Sequence, residues 1–154
     1  MTTAELQLLV RDIAKQACEL KDKHTNQQGV PVHYVAIFAQ DKEGYESLIN
    51  EIEQIGSILK DTSTGPLYKV KAIDTVAGPL RIIKIRTPDT TRPELGDADF
   101  AAKDYQEFKD SYLSHPGFKL IKREDFEMIE LMDPQFGVRV YFSHPPLDEQ
   151  LGIR

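Results

Sequence analysis

Apolar residues recur every three or four positions from Leu6 to Leu20, through Leu9, Val10, Ile13, Ala14 and Ala17. That spacing puts them on one face of a helix. Thr2 followed by Glu5 predicts a capping box at its start. The polar run KDKHTNQQG ends the helix, and Gly29 and Pro31 mark a loop. The period then changes. VHYVAIFAQ is rich in β-branched and aromatic residues and reads as a strand. DKEGYESLINEIEQIG returns to helical spacing, with Tyr45, Leu48, Ile49, Ile52 and Ile55 on one stripe and Gly56 as the stop. Three short strands follow, SILKDT, PLYKVKA and PLRIIKIRT, joined by turns at STGP and DTVAG.

After RTPDTTRPELG the same order comes again. DADFAA reads as a strand, and KDYQEFKDSYL as a helix with Tyr105, Phe108, Tyr112 and Leu113 on one side. HPG stops that helix. FKLIKR, FEMIELMD and GVRVYFS are three more strands, and the tail HPPLDEQLGIR reads as irregular. The residues repeat weakly too: FAQDKEGYESL resembles FAAKDYQEF, and IGSILK resembles PGFKLIK, at an offset near 61 residues. Neither unit buries both faces of a four-stranded sheet alone. The expectation is therefore an α+β protein in which two β-α-β-β-β modules share one curved, mixed sheet. Helices would cover its outer face and leave a concave cleft. The divisions are 1–30 for the leading helix and loop, 31–87 for the first module, 88–96 for a connector shaped by Pro88, Pro93 and Gly96, 97–143 for the second module, and 144–154 for the tail.

Composition narrows the function. The chain has 154 residues, 40% hydrophobic and 29% charged, with a net charge of -6. An acidic surface gains nothing from counterion release on nucleic acid or from an anionic membrane, so neither is an expected partner. One cysteine and four histidines exclude a disulfide framework and a cysteine-based zinc site. Cys18, on the apolar helix, reads as a small packing residue. No signal peptide and no apolar run of membrane-spanning length is present, so a cytoplasmic location is the expectation.

The double β-α-β-β-β order resembles the vicinal oxygen chelate superfamily, the fold of glyoxalase I, bleomycin-resistance proteins and extradiol dioxygenases. The resemblance spans about residues 32 to 143. The run from IGSILKDTSTGPLYKVK through LRIIKIRTPDTTRP to VYFSHPPL is similar to an uncharacterised bacterial branch of it, held to bind metal and also led by a helix. The resemblance implies four inward ligand positions, with a His, Glu, His, Glu set in the members that use metal. Here they fall at Tyr34 or its neighbour His33, at Lys84 or Arg86, at Asp99, and at Glu130. Only Glu130 keeps the residue type. A lysine within reach repels a dication and satisfies nearby acids itself, so a charge-paired patch of Lys84, Asp99 and Glu130 is expected in place of a chelate. If a divalent metal is retained, His33, Asp99 and Glu130 would hold it; otherwise no cofactor is indicated.

Asp97 and Asp99, two apart on a strand, share a face and are either an acid–base pair or partners of Lys84, Arg86 or Arg92. His24 reads as solvated, His115 as punctuation, and His144 as a side chain near the cleft mouth. No nucleophile sits on a recognisable elbow, and STGP, DTVAG and Gly96 form no phosphate-cradling loop. KLIKRED reads as a solvated strand and turn. Three functional classes follow. The first is a binding module for a small anionic or carbonyl-bearing molecule, with Tyr34, Lys84, Arg86, Asp99, Glu130 and Tyr141 around the ligand. The second is a metal-dependent lyase, isomerase or dioxygenase with Glu130 as ligand or base. The third is a structural module whose leading helix or strand edges form a homodimer. Whether the protein is an enzyme stays open at this level.

Overall fold

Alternation along the strands sorts the sheet into two faces, and helices cover the apolar one. The structure, a computed structural model, describes residues 1–152. In chain order the elements are α1 (Thr3–His24), β1 (Val32–Phe38), α2 (Lys42–Ile55), β2 (Gly56–Lys60), β3 (Leu67–Thr75), β4 (Gly78–Arg86), β5 (Gly96–Phe100), α3 (Tyr105–Tyr112), β6 (Phe118–Lys122), β7 (Glu127–Leu131), β8 (Val138–His144) and α4 (Leu147–Leu151). All eight strands form one sheet in the order β2-β3-β4-β1-β5-β8-β7-β6.

Within each half the first strand runs parallel to the last, β1 beside β4 and β5 beside β8. The halves meet where β1 pairs antiparallel with β5. This is the mixed, two-module sheet expected from the strand and helix order. The junction is tight because of Gly96. A Cβ there would stand 2.1 Å from the Ala36 carbonyl oxygen and 2.9 Å from Ile13 Cδ1. A side chain would therefore push β5 off both β1 and α1.

On the outer face Val35 and Ile37 of β1, Ile83 and Ile85 of β4, Ala98 and Phe100 of β5, and Val140 and Phe142 of β8 join one core. α1 supplies Leu6, Val10, Ile13, Ala14, Ala17 and Leu20 to the same core, each completely buried. Its apolar stripe thus covers the chain's own sheet, bridging both modules, and is not left for a partner. Thr2 caps α1 by accepting the Glu5 backbone N–H at 3.1 Å, and Asp41 caps α2 through Gly44 at 2.7 Å.

The inner face receives the residues that alternate with this core. That it curls into a cleft follows from the two sheet edges. Residues just after β2 and residues around the β6–β7 turn line one and the same cavity, although β2 and β6 stand at opposite ends of the strand order.

Two expectations are corrected. The tail is not irregular: Leu147–Leu151 forms a short helix after Pro145 and Pro146, and the last two residues of that segment lie outside the described residues. His24 is not solvated; it is half-buried and hydrogen-bonded to Asp133 at 2.8 Å. Among the described residues, no helix is long and apolar enough to cross a membrane.

Candidate functional site

Strand register assembles the cleft floor in rows. Lys84 lies beside Ala36, Ala36 opposite Asp97, and Asp97 beside Arg139. The next row carries Tyr34, Asp99, Tyr141 and Glu130. Ala36, the smallest side chain of the first row, leaves open space between Lys84 and Asp97 at the centre of the floor. Over this floor stands a cavity of about 750 Å³, within the size range of small-molecule sites. Its walls come from the segment after β2, with Lys60, Thr62, Ser63 and Thr64, and from the β6–β7 turn, with Arg123, Asp125 and Phe126. Pro145, Leu147, Gln150 and Leu151 of the tail close one end.

The charge lining this cavity is opposite to that of the chain. Among the described residues Lys60, Lys84, Arg86, Arg92 and Arg123 line it, against two carboxyls, Asp97 and Asp125. Lys84 Nζ donates to Thr64 Oγ1 at 2.5 Å. Gly65 makes this contact feasible. It has φ +135°, and a Cβ there would stand 2.0 Å from the Ile85 carbonyl oxygen, so only glycine brings the loop down onto β4. Among the described residues no carboxylate lies within ion-pairing distance of Lys84. Burial holds the Lys84 ammonium below its ordinary range, with Arg86 and Arg92 acting the same way and Asp97 opposing them. Arg86 and Arg92 both reach Asp89, at 3.7 and 3.8 Å, and both lie over the Phe38 ring.

The second module's side is largely satisfied internally, although Glu94 Oε2 is buried with no hydrogen-bond partner among the described residues. Tyr141 donates its hydroxyl to Glu130 Oε2 at 2.6 Å, and Arg92 Nη1 donates to Tyr141 Oη at 3.2 Å. Arg139 bonds Glu94 Oε1 at 2.8 Å and stands 3.5 Å from Glu130 Oε2. Asp99 is completely buried and accepts both the hydroxyl and the backbone N–H of Ser143.

Asp97 and Asp99 are therefore not one pair with one role. Burial pushes both carboxyls up. Asp97 reaches about 7, restrained by Lys84, Arg92, Arg86 and Arg139. Asp99 reaches about 8, restrained by the Ser143 bonds and raised further by Asp97. Asp97 Oδ1 is buried and has no hydrogen-bond partner among the described residues, and its carboxyl lines the cavity. A buried carboxyl close to neutrality with an unused oxygen is suited to accept or pass on a proton.

The donors implied for a metal do not fit one. A lysine, Lys84, occupies the first module's late position, and it donates to Thr64. Asp99 is committed to Ser143 and Glu130 to Tyr141. His33 is engaged with Asp148 of the tail at 3.2 Å. Among the described residues no three His, Cys, Asp or Glu side chains are grouped to hold an ion.

Of the residues singled out in the sequence, Tyr34, Lys84, Arg86 and Tyr141 line the cavity, whereas Asp99 and Glu130 lie beneath its surface. The charge-paired patch of Lys84, Asp99 and Glu130 is not formed: Lys84 bonds Thr64, and Arg139 takes the place beside Glu130. Nor do Asp97 and Asp99 form ion pairs with Lys84, Arg86 or Arg92. His144 stacks on Tyr105 with ring centroids 4.5 Å apart and does not line the cavity. KLIKRED is not wholly solvated, since Ile121, Arg123 and Asp125 form a wall. The sequence reading passed over Thr64, Arg139 and Ser143 as site residues. Alternation along GVRVYFS carried the signal for two of them, placing Arg139, Tyr141 and Ser143 opposite Val138, Val140 and Phe142.

Compared with known protein families and with curated proteins, the chain matches none. Among solved structures it is similar to a structural-genomics protein designated EC4020, with a TM-score of 0.71 at 14% identity over 93% of this chain and 87% of that one. Methylmalonyl-CoA epimerase from Mycobacterium tuberculosis gives a TM-score of 0.43 at 11% identity, covering 80% of this chain and 94% of that one. A variant of homoprotocatechuate 2,3-dioxygenase from B. fuscum also gives 0.43, at 8% identity over 85% of this chain and 39% of that one. The likeness to EC4020 speaks to the fold alone.

Proposed function

We propose that the concave cleft binds a small organic anion, a carboxylate or a carbonyl-bearing acid, in a protein of the vicinal oxygen chelate architecture that does not use that fold's metal site. One observation supports this above the others. A chain of net charge -6 lines its cavity of about 750 Å³ with five basic side chains and two acidic ones. Arg86 and Arg92 offer planar guanidinium groups suited to a carboxylate, and Lys84 adds a point charge deeper in. Tyr34, Leu67, Phe126 and Met128 supply apolar wall for the remainder of the ligand.

The cations are held in place before any ligand arrives. Asp89 and the Phe38 ring fix the two arginines, and Thr64 fixes Lys84. Preorganisation of this kind spares a ligand the cost of ordering long side chains.

The reading is tested by calorimetric titration and thermal shift with matched small molecules. Simple carboxylates and oxo-acids are set against their uncharged amides. The anions are expected to bind and to raise the melting temperature, with affinity falling as salt rises. Lys84→Met is expected to weaken them by about tenfold or more, the loss of one charge-assisted contact. Equal binding of amides and acids, or no binding by any member of the panel, overturns the proposal.

A further inference from the structure

We propose that Lys84 is a Schiff-base nucleophile: its Nζ condenses with the carbonyl carbon of an anionic aldehyde or ketone that Arg86 and Arg92 hold in the cleft, with Asp97 carrying the protons. The inference rests on the binding reading above and deepens it, naming the ligand as an oxo-acid and the contact as covalent.

Four observations converge on this one amine. It lines the cleft floor and is part-buried there. It has no carboxylate within ion-pairing distance among the described residues, so nothing fixes it as a salt bridge. Its one hydrogen-bond partner among the described residues is the Thr64 hydroxyl, which accepts from an ammonium and equally donates to the lone pair of an amine. Arg86 and Arg92 line the same cavity and place further positive charge beside it. Desolvation and a neighbouring cation are the two conditions that make a lysine nucleophilic at neutral pH. Both guanidinium groups remain charged throughout, so they bind the ligand's anionic end without competing for the electrophile.

Asp97 completes the set. It faces Lys84 across Ala36 in register and lines the same cavity, and its Oδ1 is buried with no hydrogen-bond partner among the described residues. The step balances with these groups alone. Asp97 takes one proton from the Lys84 ammonium and frees the Nζ lone pair, which forms the N–C bond as the carbonyl π pair moves to oxygen. Asp97 gives that proton to the oxygen and takes one from the nitrogen, leaving a neutral carbinolamine. Asp97 then gives its proton to the hydroxyl, the C–O bond breaks, water leaves, and the nitrogen lone pair closes the iminium. One carbonyl and one ammonium become one iminium and one water, Asp97 ends as the carboxylate it began as, and no oxidant, reductant or metal takes part.

The geometry restricts the substrate class as well. A carbonyl must sit over Ala36 between Lys84 and Asp97 while its acid group reaches Arg86 and Arg92. Acids with the carbonyl within one or two carbons of the carboxylate meet that requirement.

The experiment is reductive trapping on the intact chain. Pyruvate, acetoacetate and 2-oxoglutarate are incubated with the protein and cyanoborohydride, and adducts are mapped by peptide mass spectrometry. Binding of each probe is measured in parallel without reductant. One adduct per chain is expected, at Lys84, formed at least about tenfold faster than at the surface lysines, and absent from Lys84→Arg. Asp97→Asn, nearly isosteric, is expected to bind the probes but to slow trapping by about tenfold or more, the scale of a positioned proton carrier. Circular dichroism confirms that both variants are folded. Probes that bind with no adduct at Lys84, or with adducts spread evenly over surface lysines, overturn the inference and leave the binding reading standing. Neither binding nor trapping by any of the three overturns both.

Discussion

The two modules place different chemistry on one floor. The second module's polar residues mostly satisfy one another or the connector: Tyr141 pairs with Glu130, Arg139 with Glu130 and with Glu94 of the connector, and Asp99 with Ser143, while one oxygen of Glu94 stays unpartnered among the described residues. The first module's remain open. Lys84 has one hydroxyl partner, and Arg86 Nε is buried with none among the described residues. Asp97 belongs by sequence to the second module but faces the first, with an unused oxygen. Closed networks fix structure, and open polar groups in a cavity await a ligand. The same strand positions therefore serve stability in one half and recognition in the other. Substitutions should separate the two.

The largest loss is expected from Arg139→Met. The side chain is nine-tenths buried, between Glu94 at 2.8 Å and Glu130 at 3.5 Å. Its removal leaves two nearly buried carboxylates without their cation, which costs about 3–5 kcal/mol. Urea unfolding followed by circular dichroism measures this. A loss below about 1 kcal/mol would show that the second module's network is as open as the first's, and the contrast would fail.

A smaller effect separates the two acids by pH. Asp99 and Asp97 are raised by burial to about 8 and about 7 in the folded protein. Unfolded, both titrate near 4. Between roughly pH 4 and 8 the folded state thus binds more protons than the unfolded one, and stability falls as pH rises. The carboxyls lowered by their partners, Asp89, Glu127 and Asp133, act in the other direction but only below about pH 4.5, as they become protonated. The two windows meet only near pH 4 to 4.5, so the fall from pH 5 to 8 is not masked. Asp99→Asn keeps an oxygen for the Ser143 N–H and removes one titration, so it should flatten the profile and stabilise the protein at pH 8 by on the order of 2 kcal/mol. The remaining slope belongs to Asp97. A parent profile that is flat or rising from pH 5 to 8 would contradict this.

How far these differences were legible in the sequence depends on the range of the contacts. The two faces of each strand were readable from alternation, as in LRIIKIR, where Ile83 and Ile85 face the core and Lys84 and Arg86 the cleft. Partners across the sheet were not. A local irregularity between Val32 and Tyr34 decides that Tyr34, not His33, lines the cavity, and alternation alone left that open. Parallel pairing of β4 with β1 sets Lys84 next to Ala36, with Asp97 on the strand beyond, and leaves two strands between Lys84 and Glu130's neighbour Tyr141. The expected patch of Lys84, Asp99 and Glu130 fails for that reason: residue types predict charge pairing, but register decides who meets. The tail helix escaped notice because five residues after two prolines show no period.

The smallest stability change is the sharpest separation of the modules. Lys84 and Arg139 are both cations on the cleft floor, and deletion of the one is expected to be nearly harmless. Lys84 is held in a half-buried position without a counter-ion, so it carries a desolvation cost that no ion pair offsets. Lys84→Met keeps the length of the stem, removes that cost, and gives up one hydrogen bond to Thr64, which can turn to Gly65 through Thr62. These contributions nearly cancel, and the variant should unfold within about 1 kcal/mol of the parent. Binding of anions should fall by tenfold or more in the same preparation. Only a residue placed for a ligand loses binding while leaving stability untouched; one placed for structure loses both. A drop of 3 kcal/mol in Lys84→Met would put Lys84 in the same class as Arg139, and the first module's open floor would have to be read as structure.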